Sequence, residues 1–303
     1  MRVALLVNAA AGRGRATAAH GPVRATLTAA GLEVHELAAT DRAAAASAVR
    51  TVAGSVAAVV VLGGDGAVHA AVQGLAGTGT ALAVLPAGTG DDLALTLGVP
   101  ADPVAAARAA AADLLAGRSA RVDLGRTSTP DGDRWWATVL CCGFDSLVSD
   151  RADRLTWPTG RRRYDVAIVA ELARLRPRAV RLTLDGVAHE LEVTLVAVGN
   201  TACYGGGLRM CPDADPRDGL LDVTVIGPVT RRDLVRTRPR LADGSHVAHP
   251  AVRTHRAAEV VLEPAGPTGE GLTAWADGEP VGPLPARTVV VPGALVVVGT
   301  GRR

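Results

Sequence analysis

An acidic residue stands inside a run of glycines in the segment Gly63-Gly64-Asp65-Gly66. The run follows the apolar stretch Val56–Leu62, which predicts a buried strand, and it precedes a helical pattern. Glycine lets the backbone approach a ligand closely, and the start of a helix directs free N–H groups at an anion. A carboxylate that faces bound phosphate is repelled unless a cation lies between them, and a magnesium-nucleotide supplies that cation. The segment therefore predicts a magnesium-nucleotide site.

Two further glycine-rich loops, Asn8–Gly14 and Pro86–Asp92, also follow predicted strands. Three such loops at the strand ends of one sheet would form a cradle for a polyphosphate. Each loop taken alone also fits an ordinary connection between a strand and a helix. None carries the GxxxxGK(S/T) pattern of a Walker motif. The loop after the first strand also lacks the GxGxxG pattern of a Rossmann fingerprint.

The elements that must position these loops alternate over the first ~120 residues. Continuous apolar runs separated by helices predict a parallel sheet covered on both faces, which is a doubly wound α/β domain. Such sheets bind ligands at the carboxyl ends of their strands. The predicted strands are Val3–Val7, Val34–Leu37, Val56–Leu62 and Ala81–Leu85. The predicted helices include Ala43–Ala53 and Val104–Leu115.

The pattern changes after Arg121. Asp131-Gly132, Asp185-Gly186 and Asp277-Gly278 lie between β-prone stretches and predict tight turns, which indicates an antiparallel β-rich second domain. The final strand, Ala294–Val298, is wholly apolar and is expected to return to the first domain, with a cleft between the two domains. The other predicted strands are Val180–Leu184, Leu191–Val198, Leu221–Ile226, Val260–Leu262 and Val289–Val291. The predicted helical insertions are Arg161–Leu175 and Arg231–Arg240.

Composition excludes several classes of protein. The chain has 303 residues and a formal net charge of +2, which argues against nucleic-acid binding driven by bulk charge. The four cysteines show no CxxC pairing, so we expect buried free thiols in a reducing compartment. No apolar run reaches the ~20 residues of a membrane span. We therefore expect a cytoplasmic protein, with at most a peripheral contact at the inner face of the membrane.

Five elements together resemble the catalytic domain shared by diacylglycerol kinases, sphingosine kinases and related bacterial lipid kinases. Gly63–Ala67 resembles the family's GGDGT loop, and Pro86–Asp92 its PxGTGND loop. Tyr204–Gly207 resembles its YGGG segment, Pro212–Val223 its PxAx(3)DGxLDV stretch, and Asp277–Pro280 its DGE element. The resemblance runs almost end to end, in the family's order.

The resemblance implies a fold with two parts. An N-terminal α/β nucleotide-binding domain, as in phosphofructokinases and NAD kinases, is followed by a C-terminal antiparallel β-sandwich. We assign residues 1–121 and the tail from about 288 to 303 to the first domain. Residues 122–287 form the second, which carries the substrate and catalytic side.

The resemblance also implies roles for individual residues. Asp65 organises the magnesium-nucleotide, and Glu279 accepts the proton of the attacking alcohol with Asp277 beside it, so these three are the predicted catalytic residues. A positioned carboxylate suits that step because the alcohol must lose a proton as it meets the γ-phosphate of ATP. The predicted nucleotide-binding residues are Asn8, Thr40, Gly63, Gly64, Asp65, Gly66, Ala67, Val68, His69, Gly88 and Thr89.

A second magnesium site is implied by the same alignment. Asp215, Asp218 and the backbone carbonyl of Leu220 match a structural magnesium loop of the bacterial members. Oxygen ligands suit a hard cation. The alternative is an ordinary acidic surface turn, and Asp215 is the less secure ligand because this position can contribute its carbonyl alone.

Three residues depart from the family pattern. Ala67 replaces the usual Thr, His69 replaces the common Asn, and Asp91 replaces the Asn of GTGND. The lost hydroxyl removes a contact worth on the order of 1 kcal/mol. Asp91 adds negative charge near the phosphates, whereas His69 still offers a hydrogen bond.

The predicted function is ATP-dependent phosphorylation of a lipid alcohol such as diacylglycerol at the membrane surface, in phospholipid biosynthesis. Trp157 with Arg161–Arg163, and Trp135-Trp136, are candidate membrane anchors; the favoured readings are a solvated basic helix start and an aromatic pair in a sheet. Two alternatives stay open: a kinase of a soluble alcohol or of NAD, and a weakened nucleotide- or lipid-binding module. The sequence leaves self-association open.

Overall fold

The computed structural model describes residues 1–8, 11–158, 160 and 162–299. Its strands form two sheets, one with ten strands and one with six. The ten-stranded sheet begins as the predicted parallel sheet, with strands β1 (Arg2–Val7), β2 (Glu33–Leu37), β3 (Ala58–Gly63) and β4 (Ala81–Pro86). These strands lie in the order β2-β1-β3-β4.

Helices cover both faces of the parallel strands. Alternate residues of β3 show this directly, because Val59 and Val61 belong to one apolar cluster and Val60 and Leu62 to another. This is the period of two that a strand imposes on its side chains, and it confirms the predicted doubly wound domain. The helices here are α1 (Arg15–Ala29), α2 (Arg42–Val52), α3 (Asp65–Leu75), α4 (Asp92–Thr96) and α5 (Pro103–Leu115), with a 3-10 turn at Ala11–Gly14.

The remaining strands are antiparallel, apart from one parallel pairing of the last strand. They are β5 (Ser119–Thr129), β6 (Gly132–Trp136), β7 (Val139–Gly143), β8 (Arg178–Leu184), β9 (Val187–Val193), β10 (Leu195–Gly199), β11 (Leu221–Ile226), β12 (Val252–Ala257), β13 (Glu259–Pro264), β14 (Thr273–Ala276), β15 (Glu279–Pro283) and β16 (Ala286–Val298). The six-stranded sheet has the order β12-β11-β10-β7-β14-β15.

The predicted β-sandwich is confirmed by the core between the two sheets. Leu182 and Leu262 from the larger sheet share one buried apolar cluster with Leu140, Val198 and Val223 from the smaller sheet. The sandwich is accompanied by α6 (Phe144–Arg154), α7 (Arg162–Ala173), α8 (Arg231–Thr237) and α9 (Gly266–Gly269), with 3-10 turns at Arg238–Leu241 and Ser245–Ala248.

Two strand predictions were wrong in their bounds. The run Leu191–Val198 is not one strand, since it spans the end of β9 in one sheet and most of β10 in the other. Conversely, Val289–Val291 and Ala294–Val298 belong to the single strand β16. Pro292 and Gly293 produce only a register shift between Val291 and Leu295. No glycine or proline divides Leu191–Val198, whereas Pro292 and Gly293 interrupt the apolar run of β16, and these residues are the signals from which strand ends are predicted.

The last strand returns to the first domain, as predicted. Val296 and Val297 of β16 pair in parallel with Ala81 and Leu82 of β4, while the earlier part of β16 pairs with β13 and β5. The predicted domain limits at residues 121 and 288 fall inside β5 and β16, so one sheet runs through both parts. The division into residues 1–121 with 288–303, and 122–287, stays a prediction; residues 300–303 lie outside the described residues.

All four cysteines are free, and Cys141, Cys142 and Cys211 are buried. Burial raises the pKa of Cys142 and of Cys211 to about 12, so these thiols are unreactive at neutral pH. Among the residues that the structure describes, none of the helices has the length and apolar character that crossing a bilayer requires.

Candidate active site

Two of the glycine loops interlock at the carboxyl ends of β3 and β4. The backbones of Gly64 and Gly88 are so close that a Cβ built on Gly88 would lie 2.5 Å from the Cα of Gly64 and 2.6 Å from Oδ1 of Asp91. Only glycine fits at these facing positions. We expected these glycines to make room for a phosphate. In the structure, Gly64 and Gly88 allow the backbones of the two loops to pack against each other.

Asp65 ties the same two loops together. Its Oδ2 accepts the backbone N–H of Asp91 at 2.9 Å, and its Oδ1 accepts the backbone N–H of Asp92 at 2.8 Å. Burial raises the pKa of Asp65, against the effect of these two hydrogen bonds, and the nearby charge of Asp91 adds to the rise. A cation would relieve this accumulation of negative charge.

Asp91 occupies a position that suits either Asp or Asn. Its φ of 56° is left-handed, where these two residues are tolerated best. Its Oδ1 accepts the backbone N–H of Gly88 at 3.0 Å. The carboxylate is therefore directed at its own loop, which moderates the charge that we expected it to place near phosphate.

Asp92 is a residue that the sequence reading missed. It is buried, and its carboxylate accepts the backbone N–H groups of Gly206 at 2.9 Å and of Gly207 at 2.9 Å. Burial raises the pKa of Asp92, and the charge of Asp65 raises it further. Asp92 thus joins the Pro86–Asp92 loop to the Tyr204–Gly207 segment of the second domain. The sequence offered one indication: Asp92 directly follows Asp91 at the start of α4, a position at which an acidic residue has to be accounted for.

Asp277 lies in the tight turn between β14 and β15 with a left-handed φ of 53°. Its Oδ1 accepts the N–H and the hydroxyl of Thr138, at 2.9 and 2.6 Å. Its Oδ2 accepts the N–H of Ala137 at 3.0 Å and lies 3.1 Å from Nδ1 of His69. Burial acts to raise the pKa of Asp277, but His69 and the other donors hold it below its usual value.

A carboxylate held by these four groups is a poor proton acceptor. The geometry gives Asp277 a positioning role: it fixes the turn that carries Glu279 and anchors His69 on α3. The catalytic assignment of Asp277 therefore becomes a structural one in our proposal, whereas that of Glu279 is kept.

Glu279 is buried against the Gly63–Gly66 segment. A Cβ on Gly66 would lie 3.1 Å from Oε1 of Glu279, so the carboxylate lies close to the loop and a side chain at this position would crowd it. Burial raises the pKa of Glu279, while Arg42 and His69 oppose the rise and Asp153 adds to it. A raised pKa and direct contact with the predicted phosphate loop are properties that a general base needs.

Arg42 is the partner of Glu279, and the sequence reading missed it. Its Nη1 donates to Oε2 of Glu279, while its own side chain is 68% exposed. Arg42 begins α2 directly after Asp41, which caps that helix by accepting the N–H of Ala44 at 2.8 Å. Thr40, a predicted nucleotide contact, is exposed in the same connection. No local motif marks an arginine whose partner lies 237 residues away.

The other predicted nucleotide-binding residues divide into two groups. Asn8 and Thr89 are exposed beside the interlocked loops. Ala67, Val68 and His69 are buried in the first turns of α3 and face the protein interior. Ala9 and Ala10 of the first loop lie outside the described residues.

No group of three or more His, Cys, Asp or Glu side chains is placed to hold a metal ion in the described part of the chain. Mg²⁺ that accompanies a nucleotide is usually bound by one or two carboxylates together with substrate phosphates. Asp65 is the carboxylate that fits this role.

The predicted structural magnesium site is not preformed. Asp218 Oδ2 pairs with Arg256, and its Oδ1 accepts the N–H of Leu220 at 3.0 Å. The carbonyl of Asp215 already accepts the N–H of Arg217 at 2.8 Å. These residues fit an internally bonded acidic turn better than a ligand set.

Asp123 holds this turn in place, and it was also missed by the sequence reading. It accepts the N–H of Gly219 at 2.8 Å and the N–H of Gly293 in β16 at 2.7 Å. The segment that resembled the family's DGxLDV stretch is thereby fixed to both β5 and β16.

The two tryptophan candidates for membrane contact differ. Trp136 is fully buried and donates to Thr127 at 2.8 Å, so it belongs to the sheet, in agreement with the favoured reading. Trp157 is 80% exposed. Arg161, four positions later in the sequence, lies outside the described residues.

Comparison with known proteins gives matches over both halves. Residues 2–127 match the diacylglycerol kinase catalytic domain, and residues 138–299 match the YegS C-terminal NAD kinase beta sandwich-like domain. A diacylglycerol kinase of Mycobacterium tuberculosis (strain H37Rv) is 43% identical over 98% of this chain and 94% of its own. A YegS-like lipid kinase of Stenotrophomonas maltophilia is 33% identical over 78% of this chain and 77% of its own.

A solved structure shares the fold. A diacylglycerol kinase of Bacillus anthracis str. Sterne aligns with a TM-score of 0.73 at 22% identity, covering 98% of this chain and 96% of that one. The family match of residues 138–299 is to a beta sandwich-like domain, in agreement with the C-terminal β-sandwich that we predicted.

Proposed function

Since the chain belongs to the diacylglycerol kinase family with a YegS-type C-terminal domain, we propose that it transfers the γ-phosphate of ATP to the hydroxyl group of a membrane lipid alcohol. Diacylglycerol or a close relative is the proposed acceptor, in phospholipid biosynthesis. One observation carries the proposal: a buried carboxylate, Glu279, lies directly against the glycine loop whose composition predicts a nucleotide site.

In the proposed reaction, ATP binds at the glycine loop and the acceptor alcohol binds at Glu279. The acceptor hydroxyl oxygen forms a bond to the γ-phosphorus of ATP, the bond from that phosphorus to the bridging oxygen breaks, and ADP leaves. The hydroxyl proton passes to the carboxylate of Glu279. Bound Mg²⁺ would supply charge neutralisation for the phosphates, and Asp65 is the residue proposed to orient it.

Arg42 has a proposed positioning role in the same step. Its pairing keeps the Glu279 carboxylate ionised before the acceptor arrives, because a nearby positive charge favours the charged form. Asp277 and His69 keep the turn and α3 in register, so that Glu279 stays against Gly66. Asn8, Thr40 and Thr89 are the exposed residues proposed to contact the nucleotide.

The proposal is tested by presenting the purified protein with Mg-ATP and a panel of acceptors. The panel contains diacylglycerol, monoacylglycerol and sphingosine in mixed micelles, and glycerol and NAD in solution, with products identified by mass spectrometry. We expect phosphorylated lipid and no phosphorylated glycerol or NAD. Transfer to a soluble acceptor alone would replace the lipid assignment, and folded protein that binds Mg-ATP without any transfer would overturn the enzymatic one.

A further inference from the structure

Gln73 on α3 is hydrogen-bonded to the main chain of β6 at two points. Its Oε1 accepts the N–H of Trp135 at 3.1 Å, and its Nε2 donates to the carbonyl oxygen of Trp135 at 2.5 Å. A main-chain N–H can only donate and a carbonyl can only accept, so Trp135 decides which end of the side-chain amide carries the hydrogens. The orientation of the Gln73 amide is therefore set by β6.

The amide nitrogen of Gln73 also faces the imidazole of His69, one turn earlier on α3. Nε2 of Gln73 lies 3.3 Å from Nε2 of His69, while the main-chain carbonyl of His69 is the more distant acceptor at 3.5 Å. An amide NH₂ group has two hydrogens, and the one not used by Trp135 is available to the ring. The ring nitrogen that faces this donor has to be an acceptor, and an acceptor nitrogen carries no proton.

The proton of His69 then resides on the other ring nitrogen. Nδ1 of His69 lies 3.1 Å from Oδ2 of Asp277. Asp277 is an acceptor there, because its hydrogen bonds hold its pKa below the usual value. A ring that donates through Nδ1 and accepts at Nε2 is neutral. Gln73 thus donates to His69 and His69 donates to Asp277, so these hydrogen bonds run in one direction toward the turn that carries Glu279.

We propose that Gln73 is a positioning residue, which keeps His69 as the neutral tautomer that donates to Asp277 beside the proposed base. The inference rests on the proposed function, because it concerns Glu279 as the proton acceptor. A protonated His69 could hold the turn at Asp277 as well as a neutral one does. Gln73 allows the turn to be held by a hydrogen bond without a positive charge.

A charge on His69 would matter because it would weaken the proposed base. Arg42 and His69 lower the pKa of Glu279, whereas Asp153 raises it, and the lowering by His69 requires the charged form of the ring. A carboxylate with a lower pKa takes up the proton of the acceptor alcohol less readily. Because Gln73 opposes protonation at Nε2, the rise that burial causes in the pKa of Glu279 is opposed mainly by Arg42.

The tautomer can be measured without ATP, so that the result does not depend on turnover. Long-range proton–nitrogen NMR spectra are recorded at neutral pH on protein with isotope-labelled histidine, and the signals of His69 are identified by their absence in His69→Asn. We expect the chemical shifts of a protonated Nδ1 and an unprotonated Nε2. A proton on Nε2, alone or together with one on Nδ1, would overturn the proposal.

Gln73→Glu should reverse the effect, because it replaces the donor that faces Nε2 by an acceptor. Both ring nitrogens should then carry protons in the NMR spectra. The new carboxylate lies on the side of the ring away from Asp277, so the charge nearer to the turn is that of His69, and the pKa of Glu279 should fall. A base with a lower pKa stays ionised at lower pH, so the acidic limb of the kcat/KM profile should move to lower pH by about one unit.

The control combines Gln73→Glu with His69→Asn, which leaves no titrating ring at position 69. Relative to His69→Asn alone, this double variant should show no shift to lower pH. A shift that persists in the double variant, or an unmoved profile in folded Gln73→Glu, would overturn the proposal. If Gln73→Glu does not fold, the spectrum of the wild type decides alone. Absence of phosphate transfer to any acceptor would end the kinase assignment and leave the NMR result standing, so the two proposals can fail separately.

Discussion

The two sides of the active site hold their carboxylates by different means. On the nucleotide side, formed by the loops Gly63–His69 and Pro86–Asp92, Asp65 accepts two main-chain N–H groups and the loops touch through Gly64 and Gly88. On the proposed acceptor side, formed by Arg42 and the turn Asp277–Glu279, the carboxylate of Glu279 pairs with one exposed arginine side chain.

This difference indicates different roles for two carboxylates, Asp65 and Glu279. Two main-chain hydrogen bonds hold Asp65 in place, so we expect the nucleotide side to be preorganised. A side-chain ion pair can part and re-form, so the acceptor side can alter the charge environment of Glu279 as substrates enter. Substitutions on the nucleotide side should therefore act on stability, and those on the acceptor side on the rate and its pH dependence.

The largest effect is expected on the acceptor side, for Glu279→Gln. The amide keeps the shape of the side chain but cannot accept the proton, so kcat should fall by about 100- to 10,000-fold. Thermal unfolding and calorimetric Mg-ATP binding should remain close to wild type. If this variant keeps full activity, Glu279 is not the base; if it fails to bind nucleotide, the two sides are not separable.

Gly88→Ala should show the opposite behaviour on the nucleotide side. Its methyl group would meet the Cα of Gly64 at 2.5 Å, and backbone cannot yield as a flexible side chain does. We expect the free energy of unfolding, measured with urea, to fall by about 1–3 kcal/mol. Gly21→Ala is the matched control because nothing lies within 4 Å of its Cβ in α1; it should be neutral or stabilising by up to about 1 kcal/mol. Equal stability of the two variants would contradict the interlocking of the loops.

Arg42→Ala should act on pH dependence with a smaller effect on the maximum rate. Burial raises the pKa of Glu279 and Arg42 opposes that rise, so removing Arg42 raises this pKa further. A base must be ionised, and activity is lost as pH falls through its pKa, so the acidic limb of the kcat/KM profile should move to higher pH.

Arg42→Lys keeps the positive charge and is the control for that shift. At the alkaline plateau Glu279 is ionised with or without Arg42, so the loss of rate in Arg42→Ala should stay below about tenfold. An unmoved profile, or a shift of the same size in the lysine variant, would remove Arg42 from the proposed role.

The smallest effect is expected for Ala67→Thr, which restores the residue common in the family. Ala67 is buried at the start of α3, and one neutral hydrogen bond is worth about 1 kcal/mol. The KM for ATP should therefore change by less than about fivefold. Ala67→Val has nearly the same shape without the hydroxyl and separates bonding from crowding. If Ala67→Thr lowers the KM for ATP tenfold or more and Ala67→Val does not, the wild-type nucleotide side lacks a hydrogen bond that matters for ATP binding.

Much of the nucleotide side could be predicted from the sequence because its determinants are local. Apolar runs followed by glycine and acid place loops at strand ends, and the parallel topology brings those ends together. The sequence also indicated the turn at Asp277, since Asp-Gly between β-prone stretches requires left-handed backbone there. The predictions that the structure confirms are those in which residues close together in the sequence determine the backbone conformation.

The residues that sequence reasoning missed depend on contacts over long separations. Arg42 meets Glu279 across 237 positions, and Asp92 meets Gly206 across 114. Asp123 holds Gly219 and Gly293, which no motif connects. A charged residue gives no sign of its partner in its neighbours along the chain, whereas a glycine in a turn does. The site residues themselves stay predictions until the variants above are measured.

The last strand has a consequence for the order in which the molecule can be made. A ribosome delivers β4 about two hundred residues before Val296 and Val297, which pair with Ala81 and Leu82. Until then the edge of β4 has no β16 to pair with, and an open edge invites pairing with other chains. A gene cut before Ala286 would therefore yield a fragment that aggregates, however complete its glycine loops are. The sheet of the nucleotide-binding half therefore gains its last pairing only after almost the whole chain has been synthesised.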